Sequence, residues 1–374
     1  MKERTYIEVD LQKLRHNVLS IKNKIPDNTR IICVIKANAY GHGAIKCAHV
    51  LEELSCVEGF AVAVAQEAIE LRRSGITKRI MLLGPTYIGE YEELILNDID
   101  LCVFSERNAS EIAKRAISLN KTCNLHIKID IGMNRIGLQC DEDGYNQIKT
   151  ISKLDGLNIV GIFSHFSNAD ESNLAITELQ LKKFMDFVDN IKVKLGLSSI
   201  ISHVANSAAS LRSIGSDLEW VRAGIIIYGI SPSRDCSVTK DIQPIMSLKS
   251  HVIHIKTVPK GAKISYGGTC EVKADTKIAT VAIGYGDGYP RDLSSKGWVL
   301  INGQRASILG RICMDQMMVD ITMIDDVDIG DIVTLIGEDG DECITFDMLA
   351  EISSHFQYEI PCCLTNRVEK YYIE

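Results

Sequence analysis

The sequence predicts a (β/α)8 barrel followed by a mainly β domain, on three observations. Eight short apolar runs alternate with helix-period stretches between residue 31 and about residue 230. Beyond Ser231 the texture changes to strands split by Gly, Asp and Asn turns. A chain of 374 residues also exceeds one average domain, so a large barrel plus a smaller domain is the natural division.

The strand-like runs are 31–36, 59–64, 80–84, 101–104, 125–130, 159–165, 201–206 and 225–229. Helix-period segments such as 43–54, 66–74, 106–119 and 175–195 lie between them. A doubly wound open sheet is the competing arrangement of such units. The second domain reads as strands at 250–258, 278–283, 298–301 and 332–336, with one solid helix at 345–356. The loop 231–236 supplies the boundary, giving domains 1–235 and 236–374. There is no internal repeat beyond the βα alternation and no low-complexity segment.

The net charge of −8 comes without a block of like charges, which argues against a nucleic-acid or anionic-membrane surface and for a small substrate. Twelve cysteines are scattered without a C-x-x-C pair, and the start MKERTYIEVD lacks a signal-like apolar stretch. Free thiols in a reducing cytoplasm are therefore expected, with the adjacent Cys362 and Cys363 structural. No apolar run approaches the ~18 residues of a membrane span, which leaves open that the chain is the cytoplasmic domain of a longer membrane protein.

The most informative segment is VIKANAYGHG, residues 34–43. It places Lys36 where an apolar, β-branched run stops and a glycine-flanked turn begins. Half desolvation disfavours the ammonium form, producing an amine able to form a Schiff base with a carbonyl compound. The commonest such compound held by an enzyme is pyridoxal phosphate; the bland alternative is a strand-ending lysine that snorkels to water.

Other polar residues fall at the same rim of the predicted barrel. Lys128 sits in strand five, His165 ends strand six, His203 lies in strand seven and Arg222 precedes strand eight. Ser207 and the segment 222–225 stand at turns whose backbone N–H groups can cradle a phosphate, with Tyr40 and Tyr358 as hydroxyl donors. An aspartate beside a pyridine nitrogen would keep it protonated and make the ring a strong electron sink. Arg222 cannot supply that proton, so the sink is weakened, which suits removal and return of a single proton.

Ten motifs in order, IEVDLQKLRHN, VIKANAYGHGA, HIKIDIGMNRIGL, GIFSHFSNAD, HVANSAAS, VRAGIIIYG, ISYGGT, AIGYGDGYPR, GRICMDQMMVD and YEIPC, resemble the bacterial alanine racemase family over nearly the whole chain. That resemblance implies a pyridoxal phosphate enzyme that interconverts L- and D-amino acids and supplies D-amino acid for peptidoglycan precursors. It makes Lys36 the Schiff-base lysine and D-face base, and Tyr266 the L-face base supplied by the other subunit. An unperturbed phenol, with a pKa of ~10, is a poor base at neutral pH, so Tyr266 needs polar help, with His165 and Arg222 as relay partners.

The same resemblance has Tyr40, Ser207, Gly224, Ile225 and Tyr358 holding the phosphate, with His165, His203 and Arg222 around the ring. Lys128 resembles a lysine often carbamylated, orienting Arg135 toward the substrate carboxylate. Tyr285 and Met314 would reach the neighbouring subunit's site, implying a homodimer with shared active sites.

The chain departs from the family pattern at Asn134, where many members have a small residue, and in its short tail LTNRVEKYYIE. It is also similar to the racemase domains of vancomycin-resistance serine/alanine racemases, which leaves alanine and serine both open as substrates. Two alternatives from other classes are a non-catalytic pyridoxal phosphate-binding protein, which would lack the β domain and ISYGGT, and a fold-related decarboxylase, which would need an acidic ring partner. The Gly284-x-Gly286-x-Gly288 run precedes no helix and reads as a plain turn; His251 and His254 point to opposite faces of a strand, so no metal site is expected.

Overall fold

The computed structural model describes residues 4–374. The described residues divide into two compact units: 14–39 with 43–242, and 4–13 with 40–42 and 243–374.

The larger unit contains eight parallel strands in sequence order: Arg30–Val34, Val57–Val62, Arg79–Leu82, Leu101–Val103, Cys123–Asp130, Leu157–Phe163, Ile201–His203 and Trp220–Ala223. They form two arcs. A parallel bridge from Met81 to Asp100 joins one pair of ends, and the amide of Arg222 donates to the Ala205 carbonyl at 3.0 Å across the other. Parallel strands covered on both faces are continuously apolar, and Ile31, Ile32, Cys33, Phe60, Ile80, Leu101, Leu125 and Ile127 are fully buried. Helices Ala44–Glu52, Ala65–Arg73, Glu106–Ser118, Glu142–Ile151 and Ala175–Lys194 alternate with the strands. The closed barrel, not the open sheet, is the arrangement this chain adopts.

In the barrel, two positions differ from those expected. The eighth strand is Trp220–Ala223, and the more apolar run after it is a 3-10 turn, Ile225–Tyr228. Arg222 therefore lies within strand eight and not before it. His165 also stands two residues beyond its strand, which ends at Phe163.

The smaller unit is built on an antiparallel sheet wound around the long strand Met246–Val258. That strand pairs with Thr276–Val281 along one edge, and with Ile332–Asp339 and Thr5–Asp10 along its first half. A register shift between Val252 and His254 lets one strand serve both sets of partners. Asn302 and Gly303, at φ 52° and 72°, make the tight hairpin between Trp298–Ile301 and Gln304–Leu309, because both central positions of that turn demand positive φ. The expected helix is present as Phe346–Ser353. The N-terminal strand, assigned to the barrel half from sequence, belongs to this unit: it pairs antiparallel with Met246–Val258 and parallel with Glu369–Ile373.

Candidate active site

Lys36 follows the first barrel strand and is half-buried. The next three residues are left-handed, Ala37 at φ 50° and ψ 50°, Asn38 at 53° and 48°, and Ala39 at 56° and 48°. Left-handed backbone costs a non-glycine residue about 1–2 kcal/mol, so this turn persists only because its surroundings impose it. Two of its amides have named acceptors. Ala37 N–H donates to Glu67 Oε1 at 2.5 Å, and Ala39 N–H donates to the Ile35 carbonyl at 2.8 Å. The Asn38 side chain accepts from Ala44 N–H at 2.8 Å. Glu67 also accepts from Ala63 and Val64, tying the end of the first strand to that of the second. The lysine therefore projects from a fixed base.

Five groups of the barrel unit converge. Burial, Arg222, Lys128, Arg135 and Lys36 together hold the His165 imidazole well below the usual histidine range. Arg222 is buried: Nη1 donates to His203 Nδ1 at 2.9 Å and to the His203 carbonyl at 3.0 Å, while Nη2 donates to the carbonyls of Ser164 at 2.5 Å and Val204 at 3.2 Å. A longer contact of 3.4 Å reaches His165 Nδ1. Burial and Arg135 pull the guanidinium down to about 9, so it remains a cation at neutral pH. His203 is held well below the ordinary range by burial and by Arg222.

Lys128 is buried in strand five, donates to the Ile129 carbonyl at 3.1 Å and lies 5.3 Å from the centre of the Phe163 ring. Burial, then Arg222, brings its amine down to about 7. Asn134 occupies a left-handed position, φ 55°, with its N–H on the Asp130 carboxylate at 3.1 Å. Asparagine is the residue after glycine that best tolerates this conformation, so the departure from the family pattern leaves the loop carrying Arg135 intact.

The Ser207 hydroxyl accepts from Gly224 N–H at 2.9 Å, bringing the turn after strand seven against the turn after strand eight. Ile225 opens the 3-10 turn there, and the first amides of a helical turn have no partner within it. A serine hydroxyl and amides of two such turns form a donor-rich corner suited to a phosphate dianion. With a half-buried lysine and a buried arginine in the same unit, the residues present fit pyridoxal phosphate.

The remaining candidates lie in the smaller unit. Tyr285 N–H donates to the Cys313 carbonyl at 3.1 Å and Gly286 N–H to the Met314 carbonyl at 2.8 Å, so the Tyr285 turn and the Met314 loop move as one. The buried Asp287 carboxylate locks that pair, accepting from Gly284 N–H at 3.0 Å and from Arg4 and Arg367. A side chain at Gly286 would put its Cβ 2.4 Å from Arg367 Nη1 and 3.0 Å from the Met314 side chain, so it would have to displace the arginine from Asp287. Tyr266 opens a short 3-10 turn and shares a groove with Ser265, Cys313 and Met314. Tyr266 is 69% exposed, Met314 52% and Tyr285 41%. Tyr40 and Tyr358 meet edge to face, ring centres 6.1 Å apart, and Gly41 packs so closely that a Cβ would fall 2.1 Å from the Pro361 carbonyl oxygen.

Sequence reasoning missed Glu67, which secures the Lys36 turn, and the buried pair Asp100 and His126 behind His203. A carboxylate and an imidazole in apolar runs were the available signal. All twelve cysteines are free thiols. No helix among the described residues is long and apolar enough to cross a membrane.

Comparison with known proteins gives the family. The family profile "Alanine racemase, N-terminal domain" matches residues 9–232, and "Alanine racemase, C-terminal domain" matches 245–372. The alanine racemase of Clostridium tetani is 42% identical over 370 residues, covering 98% of this chain and 95% of that protein. The solved alanine racemase of Clostridium difficile superposes with a TM-score of 0.93 at 40% identity, covering 100% of this chain and 97% of that one. The alanine racemase of Bacillus anthracis, solved with bound L-Ala-P, gives 0.92 at 37% identity, with 100% and 96% covered. With both profiles matched in order and relatives aligned from end to end, the chain belongs to the alanine racemase family.

Proposed function

We propose that this protein interconverts L- and D-alanine with pyridoxal phosphate held on Lys36, using Lys36 and Tyr266 as bases on opposite faces of the substrate. The observation that carries the reading is the buried arginine, Arg222, held among neutral imidazoles in the same unit as the strand-end lysine. The cofactor, when bound, supplies an electron sink for the charge left at Cα. Ser207, Gly224 and Ile225, with Tyr40 and Tyr358, hold its phosphate. Arg222 would meet the ring nitrogen, with His165 and His203 next to the arginine, and, having no acceptor, would stay a donor throughout. Arg135 takes the substrate carboxylate. Lys36 removes or returns the proton on the D face and Tyr266 does so on the L face.

The exposure of Tyr266, Tyr285 and Met314 supports a homodimer in which each smaller unit completes the partner's site. D-alanine made this way serves peptidoglycan precursors, and twelve free thiols fit a reducing cytoplasm.

Lys128 fits carbamylation. An amine brought down to about 7 is largely neutral at physiological pH, its nitrogen can add to carbon dioxide with loss of a proton, and the anion formed is stabilised by Arg135 and Arg222. Growth and purification in 13C-bicarbonate should give one carbamate carbonyl resonance that disappears in K128A. A spectrum without it would leave Lys128 an unmodified amine.

The relatives are named for alanine, so serine is the lesser substrate. Added bulk of one hydroxyl is worth ~1–3 kcal/mol in a small pocket, so kcat/KM for L-alanine should exceed that for L-serine by roughly 10–200-fold. A ratio at or below one would make this a serine racemase of the resistance type.

A further inference from the structure

A chain of buried polar groups runs behind Arg222, through the interior of the barrel. His203 Nδ1 faces Arg222 Nη1 at 2.9 Å, and its Nε2 meets His126 Nδ1 at 3.1 Å. His126 Nε2 lies 3.2 Å from Asp100 Oδ2, which also takes a hydrogen bond from Arg79 Nη1. Asp100, His126, His203 and Arg222 are at most 3% exposed. Four strands contribute, since Asp100 immediately precedes strand four, His126 sits in strand five, His203 ends strand seven and Arg222 lies in strand eight. Such a row is costly inside a barrel unless every member is satisfied.

Only one arrangement of protons satisfies it. Arginine has no acceptor, so His203 Nδ1 must carry a lone pair and its proton must sit on Nε2. That proton points at His126 Nδ1, which must then be the acceptor, and the His126 proton on Nε2 goes to the carboxylate. Reading from the other end gives the same order, because a carboxylate only accepts. Burial and Arg222 keep His203 neutral, and burial keeps His126 low despite Asp100.

The walls hold this order in place. His203 stacks on Phe163, centres 5.1 Å apart and planes 4° from parallel, and Trp220 lies 5.5 Å from His126 and 5.3 Å from His203. A Cβ at Gly161 would fall 2.4 Å from His126 Nδ1, so strand six makes room for the ring with a glycine. Asp100 itself is fixed by its backbone, donating to the Ile80 carbonyl and accepting from Leu82 N–H, both at 2.9 Å.

We propose that Asp100 is a positioning residue for catalysis: through His126 and His203 it sets the direction of a hydrogen-bonded relay that presents an acceptor to the Arg222 guanidinium and so helps to hold it in place. The functional half of this rests on reading Arg222 as the partner of the cofactor's ring nitrogen; the relay itself does not. An Arg222 met by a His203 N–H would face donor against donor at Nη1 and would be held by backbone carbonyls alone.

The test uses the full-length holoenzyme labelled with 15N-histidine. Both His126 and His203 should appear as neutral rings protonated at Nε2. D100A removes the terminal acceptor, so the His126 and His203 rings should populate both tautomers and kcat should fall by about 10–100-fold while KM for L-alanine stays within about twofold. D100N retains an oxygen that can accept from both Arg79 and His126, so its tautomers should match wild type and its kcat should stay within about threefold.

A wild-type His203 protonated at Nδ1, or doubly protonated, overturns the relay. A folded D100A with unchanged kcat, or a D100N as impaired as D100A, overturns the positioning role. If D100A fails to fold, the wild-type ring tautomers and D100N still decide. Wild-type protein without racemase activity would instead fail the functional reading, and the relay would then stand or fall on the ring tautomers.

Discussion

Replacing Lys36 by alanine should remove racemisation in both directions, by at least ~10⁴-fold, because one side chain serves both as the cofactor's anchor and as one of two bases. The loss should come without unfolding. Lys36 is only half-buried, and the turn after it is held through backbone amides by Glu67, Ile35 and Asn38. Melting temperature and circular dichroism should therefore stay close to wild type. Borohydride treatment of the wild-type holoenzyme should leave the cofactor covalently fixed to a single peptide, the one containing Lys36. A reduced adduct at another lysine, or racemase activity surviving in K36A, would remove Lys36 from the centre of the mechanism.

Lys36 was legible because a charged residue terminating an apolar run is a local signal. The turn that fixes it was not. KANAY contains no glycine, and nothing in alanine or tyrosine calls for a left-handed backbone; the conformation is imposed by Glu67, thirty residues away, and only the fold brings that carboxylate to Ala37. Strand eight shows a different limit. Periodicity cannot separate a short buried strand from a short buried turn, and the three isoleucines at 225–227 outweighed WVRA, whose arginine looks like a boundary. In fact the arginine is tolerated mid-strand because three backbone carbonyls and an imidazole receive its donors.

Long-range pairings account for the rest. Thr5–Asp10 is a strand whose partners lie some 240 and 360 residues along the chain, so its place in the smaller unit left no trace near it. Asp100 and His126 are each an unremarked polar residue in an apolar run. They acquire meaning only when the barrel turns strands four, five, seven and eight toward one interior, where the two residues complete the hydrogen bonds of His203 behind Arg222.

Tyr266→Phe carries the second large effect, and it should be asymmetric. Removing one phenol oxygen from an exposed turn costs the fold little, so the variant should be stable and should bind cofactor. Racemisation should fall by about 10²–10⁴-fold in both directions, the usual worth of a general acid or base. Exchange of the α-proton with solvent should nevertheless persist from D-alanine, where Lys36 still acts, and be lost from L-alanine. Equal loss from both enantiomers would refute the assignment of faces. The same variant locates the tyrosine. In a dimer whose smaller units complete each other's sites, a heterodimer of one K36A chain and one Y266F chain carries both lesions at one site and neither at the other. Mixing the two inactive homodimers under conditions that exchange subunits should then restore about half of wild-type activity per heterodimer. No recovery after exchange, verified by mass, would put Lys36 and Tyr266 of one chain in the same site, and the exposed Tyr266 turn would have to close over its own barrel.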